Sequence, residues 1–354
     1  MNKKITIDGV PIGADYSPYI IAELSGNHNG EIERAFKIMD AACKAGANAL
    51  KLQTYTADTL TIDHNSPDFI VDLPLWKGRT LYNLYQEAFT PWEWHDALFN
   101  HAKKLGITIF SSPFDATAVD FLEDLGAPAY KIASFENVDI PLIKKAASTK
   151  KPLIISTGMA SLTEIEEAVQ AAREAGCEEL CLLHCVSSYP APIEETNLAN
   201  LAVLREKFGV IVGLSDHSLG TVVPIAASAL GASVIEKHFT ISRDDGGVDS
   251  AFSLEPHELT ELVGRSNEAA LAVGDVSFGP KSAEMRSLNY RRSLYVVENI
   301  KAGDLFTVKN VRSIRPAFGL SPKHYDRLLG KRAKCDIKRG EPMSWDFISG
   351  DETK

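Results

Sequence analysis

Eight short apolar runs recur along this chain, and a longer amphipathic stretch separates most of them from the next. The runs occupy residues 19–24, 47–53, 107–111, 129–133, 152–156, 179–185, 210–214 and 233–238. They are rich in leucine and β-branched residues and too short for a helix to be the better reading. Stretches 31–45, 91–105, 117–125 and 162–175 carry helical periodicity. Several helical patterns stop at a glycine just before the next run: Gly46, Gly106, Gly126, Gly176, Gly209 and Gly231. Glycine there can take the left-handed conformation that ends a helix. Thr90-Pro91 and Ser161-Leu162-Thr163-Glu164 read as helix starts, the second as a capping box. The opening Lys4-Ile5-Thr6-Ile7 alternates like a further strand.

Near-continuous apolarity in strands that alternate with helices predicts a parallel sheet of the α/β class. Eight such units predict a closed (β/α)8 TIM barrel. The alternative, an open doubly wound sheet, carries a glycine-rich phosphate turn after its first strand. Glu23-Leu24-Ser25-Gly26-Asn27-His28-Asn29-Gly30 is not that turn. The barrel accounts for residues 1–272. Residues 273–291 lose the period and read as a linker. Residues 292–350 show short strands divided by Gly303-Asp304 and Gly340-Glu341, a small β-rich domain too small to be more than marginal alone. It is expected to pack on a barrel, its own or a partner's.

Lysine and arginine total 37 against 47 aspartates and glutamates, a formal net charge of −10. That balance argues against nucleic acid and anionic membranes as partners, but not against a small anion in a locally basic pocket. No apolar run reaches the roughly 18 residues that span a bilayer, and the start lacks the apolar segment of a secretion signal, so cytoplasm is the expected compartment. The cysteines Cys43, Cys177, Cys181, Cys185 and Cys335 are odd in number and unlike paired zinc spacing, so they read as reduced thiols, with Cys177, Cys181 and Cys185 packed in the core.

Barrel active sites sit at the C-terminal strand ends, and polar residues gather there: Glu23, Lys51 and Gln53, Ser112, Lys131 with Ser134 and Glu136, Ser187, Ser215 and His217, and Glu236 with His238. Lys51 and Lys131 beside serines suggest an anion site, since hydroxyl and ammonium donors match phosphate and carboxylate oxygens. The alternative is a barrel ion-pair network with Glu23, Glu136 or Glu236. His217 and His238 end consecutive strands and, with Glu23 in reach, suggest a divalent-metal site that polarises a carbonyl. The other possibility is two hydrogen-bonded histidines. His184 has the opposite parity and should lie outside the lumen. His64, His95, His101, His257 and His324 read as surface residues.

The phrases Ala22-Glu23-Leu24-Ser25-Gly26-Asn27-His28-Asn29-Gly30, Lys51-Leu52-Gln53, Ser112-Pro113-Phe114-Asp115 and Lys131-Ile132-Ala133-Ser134 resemble the sialic acid synthase family. So do Ser156-Thr157-Gly158-Met159-Ala160, the segment from His184-Cys185 to Tyr189-Pro190, Gly213-Leu214-Ser215-Asp216-His217-Ser218 and Glu236-Lys237-His238-Phe239-Thr240. The tail through Ile314-Arg315-Pro316 is similar to that family's antifreeze-like SAF domain. Leu75-Trp76-Lys77-Gly78-Arg79-Thr80-Leu81-Tyr82 and Thr90-Pro91-Trp92-Glu93-Trp94-His95 most resemble its members that form pseudaminic acid.

The resemblance implies condensation of phosphoenolpyruvate with an open-chain N-acetylated amino sugar, giving a nine-carbon 2-keto sugar acid and phosphate. It further implies that Lys51 and Ser112 hold the phosphoenolpyruvate carboxylate, and Lys131, Ser134, Ser187 and Ser215 its phosphate. His217 and His238 would ligate Mn2+, with Mg2+ or Co2+ as substitutes. Glu23, Gln53, Tyr189, Glu236 and Asp249 would contact the sugar or metal-bound water, and Arg315 would reach the N-acetyl group from the other subunit of a domain-swapped homodimer. Ser187 departs from the asparagine of the neuraminate-forming members. Either Glu23 or Glu136 would move the water's proton. The acceptor could be 2,4-diacetamido-2,4,6-trideoxy-L-altrose or the related sugar of a neuraminate or legionaminic acid synthase, and the long 56–88 connection is expected to help choose it. A Schiff-base aldolase with Lys131 as nucleophile is a rival on the same barrel. A non-catalytic sugar- or ice-binding protein leaves the eight polar strand ends unexplained.

Overall fold

A computed structural model describes residues 4–350. The chain enters through an antiparallel hairpin of β1 (Lys4–Ile7) and β2 (Val10–Gly13). The barrel then runs β3 (Tyr19–Glu23), α1 (Ile32–Ala45), β4 (Ala49–Thr54), the short helices α2 (Ala57–Leu60) and α3 (Leu81–Ala88), α4 (His95–Leu105), β5 (Thr108–Pro113), α5 (Ala116–Asp124) and β6 (Tyr130–Ile132). It continues through α6 (Ile140–Ala147), β7 (Leu153–Ser156), α7 (Leu162–Glu174), β8 (Leu180–Cys185), α8 (Asn200–Phe208), β9 (Ile211–Asp216), α9 (Val222–Ala229), β10 (Val234–His238) and α10 (Pro256–Val273). Strands β3 to β10 are parallel, neighbour one another in sequence order and close where β10 pairs with β3. The predicted (β/α)8 barrel is therefore the observed one, each apolar run lying on its strand.

The local signals act as expected. All six helix-stopping glycines have φ between +57° and +98°. Ser161 and Glu164 form the capping box of α7, with Ser161 Oγ accepting the Glu164 N–H at 3.3 Å. Pro91 starts a helix later than its position suggests: a 3-10 turn, Trp92–Trp94, precedes α4. The second strand of the hairpin was not foreseen. Its signal is Asp8-Gly9, where φ is 49° and 79°, the two positive values a type I′ turn requires.

Two apolar layers hold the barrel. Outward residues such as Ile20, Leu50, Leu52, Ile132, Ile155, Leu182 and Ile235 pack beneath the helices. Inside, Tyr19, Ile21, Ala49, Phe110, Ile154, Leu183 and Val234 fill the lower lumen together with Ile5, Ile7 and Ile12 of the hairpin. The hairpin plugs the N-terminal end, so polar side chains find lumen space only at the C-terminal end. Gly213 lets β9 and β10 approach, since a Cβ there would lie 2.3 Å from the Val234 carbonyl oxygen.

The chain divides into two compact units between Gly274 and Asp275. The second has its own core of Leu294, Val296, Ile300, Phe306, Val311, Leu328, Ala333, Ile337 and Met343. Among the described residues its one ladder joins β11 (Ser293–Val296) to β12 (Val311–Ile314), a short helix α11 spans Tyr325–Leu328, and isolated bridges such as Ile300 with Ile337 replace the further strands expected there. The segment read as a linker carries a 3-10 helix at Ser282–Tyr290, begun by reciprocal bonds between Lys281 and Glu284. Among the described residues no helix is long and apolar enough to cross a membrane.

Candidate active site

The pleat aims alternate residues inward. On β3, β4, β6 and β10 it stacks Glu23 above Ile21, Lys51 above Ala49, Lys131 above Ala129 and Glu236 above Val234, with the lower residue of each pair in the lumen core. The four charged side chains are between 1% and 4% exposed. Burial at that level requires pairing. Lys51 Nζ lies 2.6 Å from Glu23 Oε2 and 3.4 Å from Glu236 Oε2, and Lys131 Nζ lies 3.0 Å from Glu236 Oε1. Lys51 also donates to Ser112 Oγ at 3.3 Å, and Ser215 Oγ donates to Glu236 Oε1 at 2.9 Å. The ion-pair network weighed as an alternative is thus present, and two of the serines serve it. Its two cations and two anions make a compact cluster with no net charge.

The environment sorts these groups electrostatically. Burial raises Glu23 and Glu236 adds to it, against Lys51. Glu236 is held below the carboxylate range because Lys131 and Lys51 outweigh its burial. Burial lowers Lys131 more than Glu236 raises it, whereas Glu23 and Glu236 carry Lys51 upward. Glu136, just beyond β6, is pushed up to about 7 by burial, with Lys131 pulling the other way. Its Oε2 is buried and has no hydrogen-bond partner.

Ser134 and Ser187 meet at Gly158. The Gly158 N–H donates to Ser134 Oγ at 3.2 Å, and a Cβ on Gly158 would lie 2.2 Å from Ser187 Oγ. Gln53 is the register partner of Ser112. These groups and the network ring the upper lumen.

His217 and His238 have ring centroids 5.4 Å apart. His217 Nδ1 donates to the Val186 carbonyl oxygen at 3.1 Å, so Nε2 is the nitrogen a ligand would take once it gives up its proton; against its burial, Cys185 and that carbonyl carry His217 above its ordinary value. His238 Nδ1 lies 3.3 Å from Ser25 Oγ and 3.8 Å from Asp249 Oδ2. Burial, with His217 and Lys51, holds His238 well below its usual value, so its imidazole is neutral, the form that binds metal. The donor set therefore fits a divalent ion held by two imidazoles with other positions open. Glu23, also read as in reach of this ion, has one oxygen paired with Lys51 and the other accepting the Ser25 N–H at 3.1 Å. Among the described residues, Glu255, His257 and Glu258 are the one close trio of this kind. That trio is the start of α10, where Glu258 accepts the Glu255 N–H at 2.8 Å and pairs with Arg243.

Several placements correct the sequence reading. His95, expected at the surface, is fully buried and bonds Thr54 Oγ1 at 2.8 Å, because α4 turns it onto the outer face of β4. Cys185 is more than packing: it faces the upper lumen with Sγ 3.8 Å from His217 Nδ1, and against its burial His217 holds the thiol down at about 7. His184, as its parity predicted, points out of the lumen and bonds the Thr196 carbonyl at 2.6 Å. Arg315 belongs to the second unit and is exposed after β12. Tyr189 was named, but its setting was not: its ring is 4.4 Å from His217, 5.3 Å from Phe252 and 5.7 Å from Trp76. Phe252 and Trp76 lie on connections without strand parity, so only the length of the 56–88 excursion signalled that it reaches the site.

A model described as the NeuB family matches residues 38–278, and a SAF domain model matches residues 291–349. The pseudaminic acid synthase of Helicobacter pylori is 44% identical over 94% of this chain and 98% of its own length. That of Campylobacter jejuni serotype O:2 is 46% identical over 93% of this chain and 96% of its own. A crystal structure of the N-acetylneuraminic acid synthetase of Leptospira borgpetersenii, in complex with citrate, superposes with a TM-score of 0.73 at 33% identity, covering 81% of this chain and 96% of that one.

Proposed function

The chain belongs to the NeuB family, and from that premise we propose that it condenses phosphoenolpyruvate with 2,4-diacetamido-2,4,6-trideoxy-L-altrose to give pseudaminic acid and phosphate. The observation that carries the reading is its identity of 44–46%, over almost the whole of both chains, to two pseudaminic acid synthases. Neuraminate and legionaminic acid synthesis are the neighbouring alternatives.

The network explains how a buried site of no net charge can take a trianion. Lys51 and Ser112 turn to the carboxylate of phosphoenolpyruvate, and Lys131, Ser134, Ser187 and Ser215 to its phosphate. Each lysine exchanges part of its glutamate pairing for an equivalent oxyanion, so no ammonium is left unpaired. Gln53, Tyr189 and Asp249 line the acceptor side, and Glu23 and Glu236 fix the lysines. A divalent ion on His217 and His238, Mn2+ first with Mg2+ or Co2+ as substitutes, supplies Lewis-acid polarisation of the acceptor aldehyde.

The C2=C3 π electrons form the new bond from C3 to the aldehyde carbon while the carbonyl π bond breaks onto its oxygen, which takes up a proton and becomes a hydroxyl of the product. Water then adds at the electron-poor C2, one of its protons passing through Glu136 to that oxygen. The tetrahedral centre breaks its C–O bond to phosphate, the C2 hydroxyl giving its proton to the departing phosphate as it becomes the keto oxygen. Glu136 takes the proton from that water: its unpartnered oxygen and pKa of about 7 suit a base, whereas Glu23 is engaged by Lys51 and Ser25.

Arg315 enters through a domain-swapped homodimer, in which the partner's copy of the small domain reads the sugar's N-acetyl group. The small core of that domain supports this arrangement. Free cysteines throughout suit a reducing cytoplasm.

Phosphate release from phosphoenolpyruvate tests the reading. The diacetamido sugar should drive it and N-acetylmannosamine should do so poorly. Comparable rates on both undo the choice of acceptor, and borohydride trapping of substrate on Lys131 replaces the reading with an aldolase.

A further inference from the structure

The connection between β4 and α4 carries residues 57–88 out of the barrel wall and back over its C-terminal face. Its far end is a tight turn: Val71 N–H donates to the Arg79 carbonyl at 2.8 Å, and Gly78 N–H donates to the Val71 carbonyl at 2.9 Å. Trp76 sits at that tip. Its Nε1–H donates to the Val248 carbonyl at 2.9 Å, one residue before Asp249. Its ring is 5.7 Å from Tyr189, which is itself 4.4 Å from His217. The base of the excursion is held on the same loops. A Cβ on Gly26 would lie 2.5 Å from Val248 Cγ2 and 3.1 Å from Ala88 Cα, so the loop after β3 and the end of α3 close together only around glycine.

An indole has one polar atom, a donor. In Trp76 that donor is already satisfied by Val248, so the half-buried ring offers the site a purely apolar surface. We propose that Trp76, backed by Tyr189, is a specificity-determining wall of the acceptor pocket that accepts the deoxy methyl and acetamido methyl groups of a diacetamido-trideoxy sugar and disfavours the hydroxyls of an ordinary N-acetylhexosamine. This rests on the function proposed above and names the group that reads the acceptor. The Trp76 face, with no free hydrogen-bonding atom, desolvates a hydroxyl without repayment and gains from a methyl. One methyl-sized group in an apolar pocket changes kcat/KM by about 10–200-fold.

The test compares wild type, W76A and W76F with phosphoenolpyruvate and either 2,4-diacetamido-2,4,6-trideoxy-L-altrose or N-acetylmannosamine. W76A should lose about tenfold or more in kcat/KM for the diacetamido sugar, hold or gain on N-acetylmannosamine, whose hydroxyls the ring no longer desolvates, and leave the KM for phosphoenolpyruvate unaltered. W76F, which lacks the N–H but keeps a ring, should retain the preference. Equal losses on both acceptors make Trp76 a loop anchor only and overturn the proposal, as does an unchanged preference in W76A. Wild-type turnover separates the two failures. A wild type that uses neither sugar, or prefers N-acetylmannosamine, overturns the functional reading and this proposal with it. A wild type that prefers the diacetamido sugar beside an unaffected W76A overturns the proposal alone.

Discussion

Lys237 Nζ lies 2.5 Å from Asp216 Oδ2, and the two side chains are 0% and 2% exposed. They are register partners on β10 and β9, each one residue before an imidazole of the candidate metal site. Their side chains take the face opposite to His217 and His238, where Asp216 also accepts the Ser218 N–H and Oγ–H, each at 3.0 Å. One buried ion pair therefore ties together the two strand ends that set the spacing of the histidines.

Removing one partner strands the other's charge. K237M should lower unfolding stability by about 3–5 kcal/mol, because Asp216 stays buried without its partner. A D216L/K237M double variant should recover most of that loss. Urea denaturation checks both, and an unchanged midpoint for K237M would mean the pair contributes nothing.

Lys131 is expected to act on phosphoenolpyruvate. K131M should raise its KM by about 10–100-fold, the worth of one or two charge-assisted hydrogen bonds, while the KM for the sugar moves much less. Steady-state kinetics with each substrate varied in turn would expose the opposite split.

Glu136 ties activity to pH. Burial raises its carboxyl from an ordinary 4.5 to about 7, so the base form appears, and kcat rises, as pH climbs through about 7. E136Q should flatten that limb and cut kcat by about 10²–10⁴-fold. For stability the sign runs the other way. The neutral acid's advantage is fully present below 4.5 and is lost as pH rises through about 7, so E136Q should be the more stable protein above neutrality. A kcat profile that keeps its acid limb in E136Q refutes the assignment.

His238 should be needed for metal and not for the fold. H238A should lose about 100-fold or more in turnover, equal to about 3 kcal/mol of transition-state stabilisation, with an unchanged circular dichroism spectrum and weakened Mn2+ binding in titration calorimetry. Near-normal turnover in H238A, or activity indifferent to EDTA, removes the metal from the reaction.

Strand parity is a local property, so the residues that face the upper lumen were readable one strand at a time. Lys51 and Gln53 were placed on one side, and His184 opposite Cys185, from nothing more than the pleat. The eight units and their order were equally legible, because each run and each glycine stop is decided within a few residues. Connections have no such period. Trp76 and Phe252 therefore showed no sign of their neighbours, while His95, the first residue of α4, was misread because its burial against Thr54 depends on how that helix packs on β4.

What the chain order alone determined is the barrel and the roster of polar strand ends, since burial pattern and helix termini are short-range physics. Only the closed tertiary structure decided who pairs with whom. Lys131 and Glu236 stand 105 residues apart and meet because closure and stagger bring β6 and β10 across one lumen. The same closure, with the β1–β2 hairpin filling the lower lumen, leaves the charges one shared space, which turns two isolated lysines into an ion-pair network and, through burial, raises both Glu23 and Glu136.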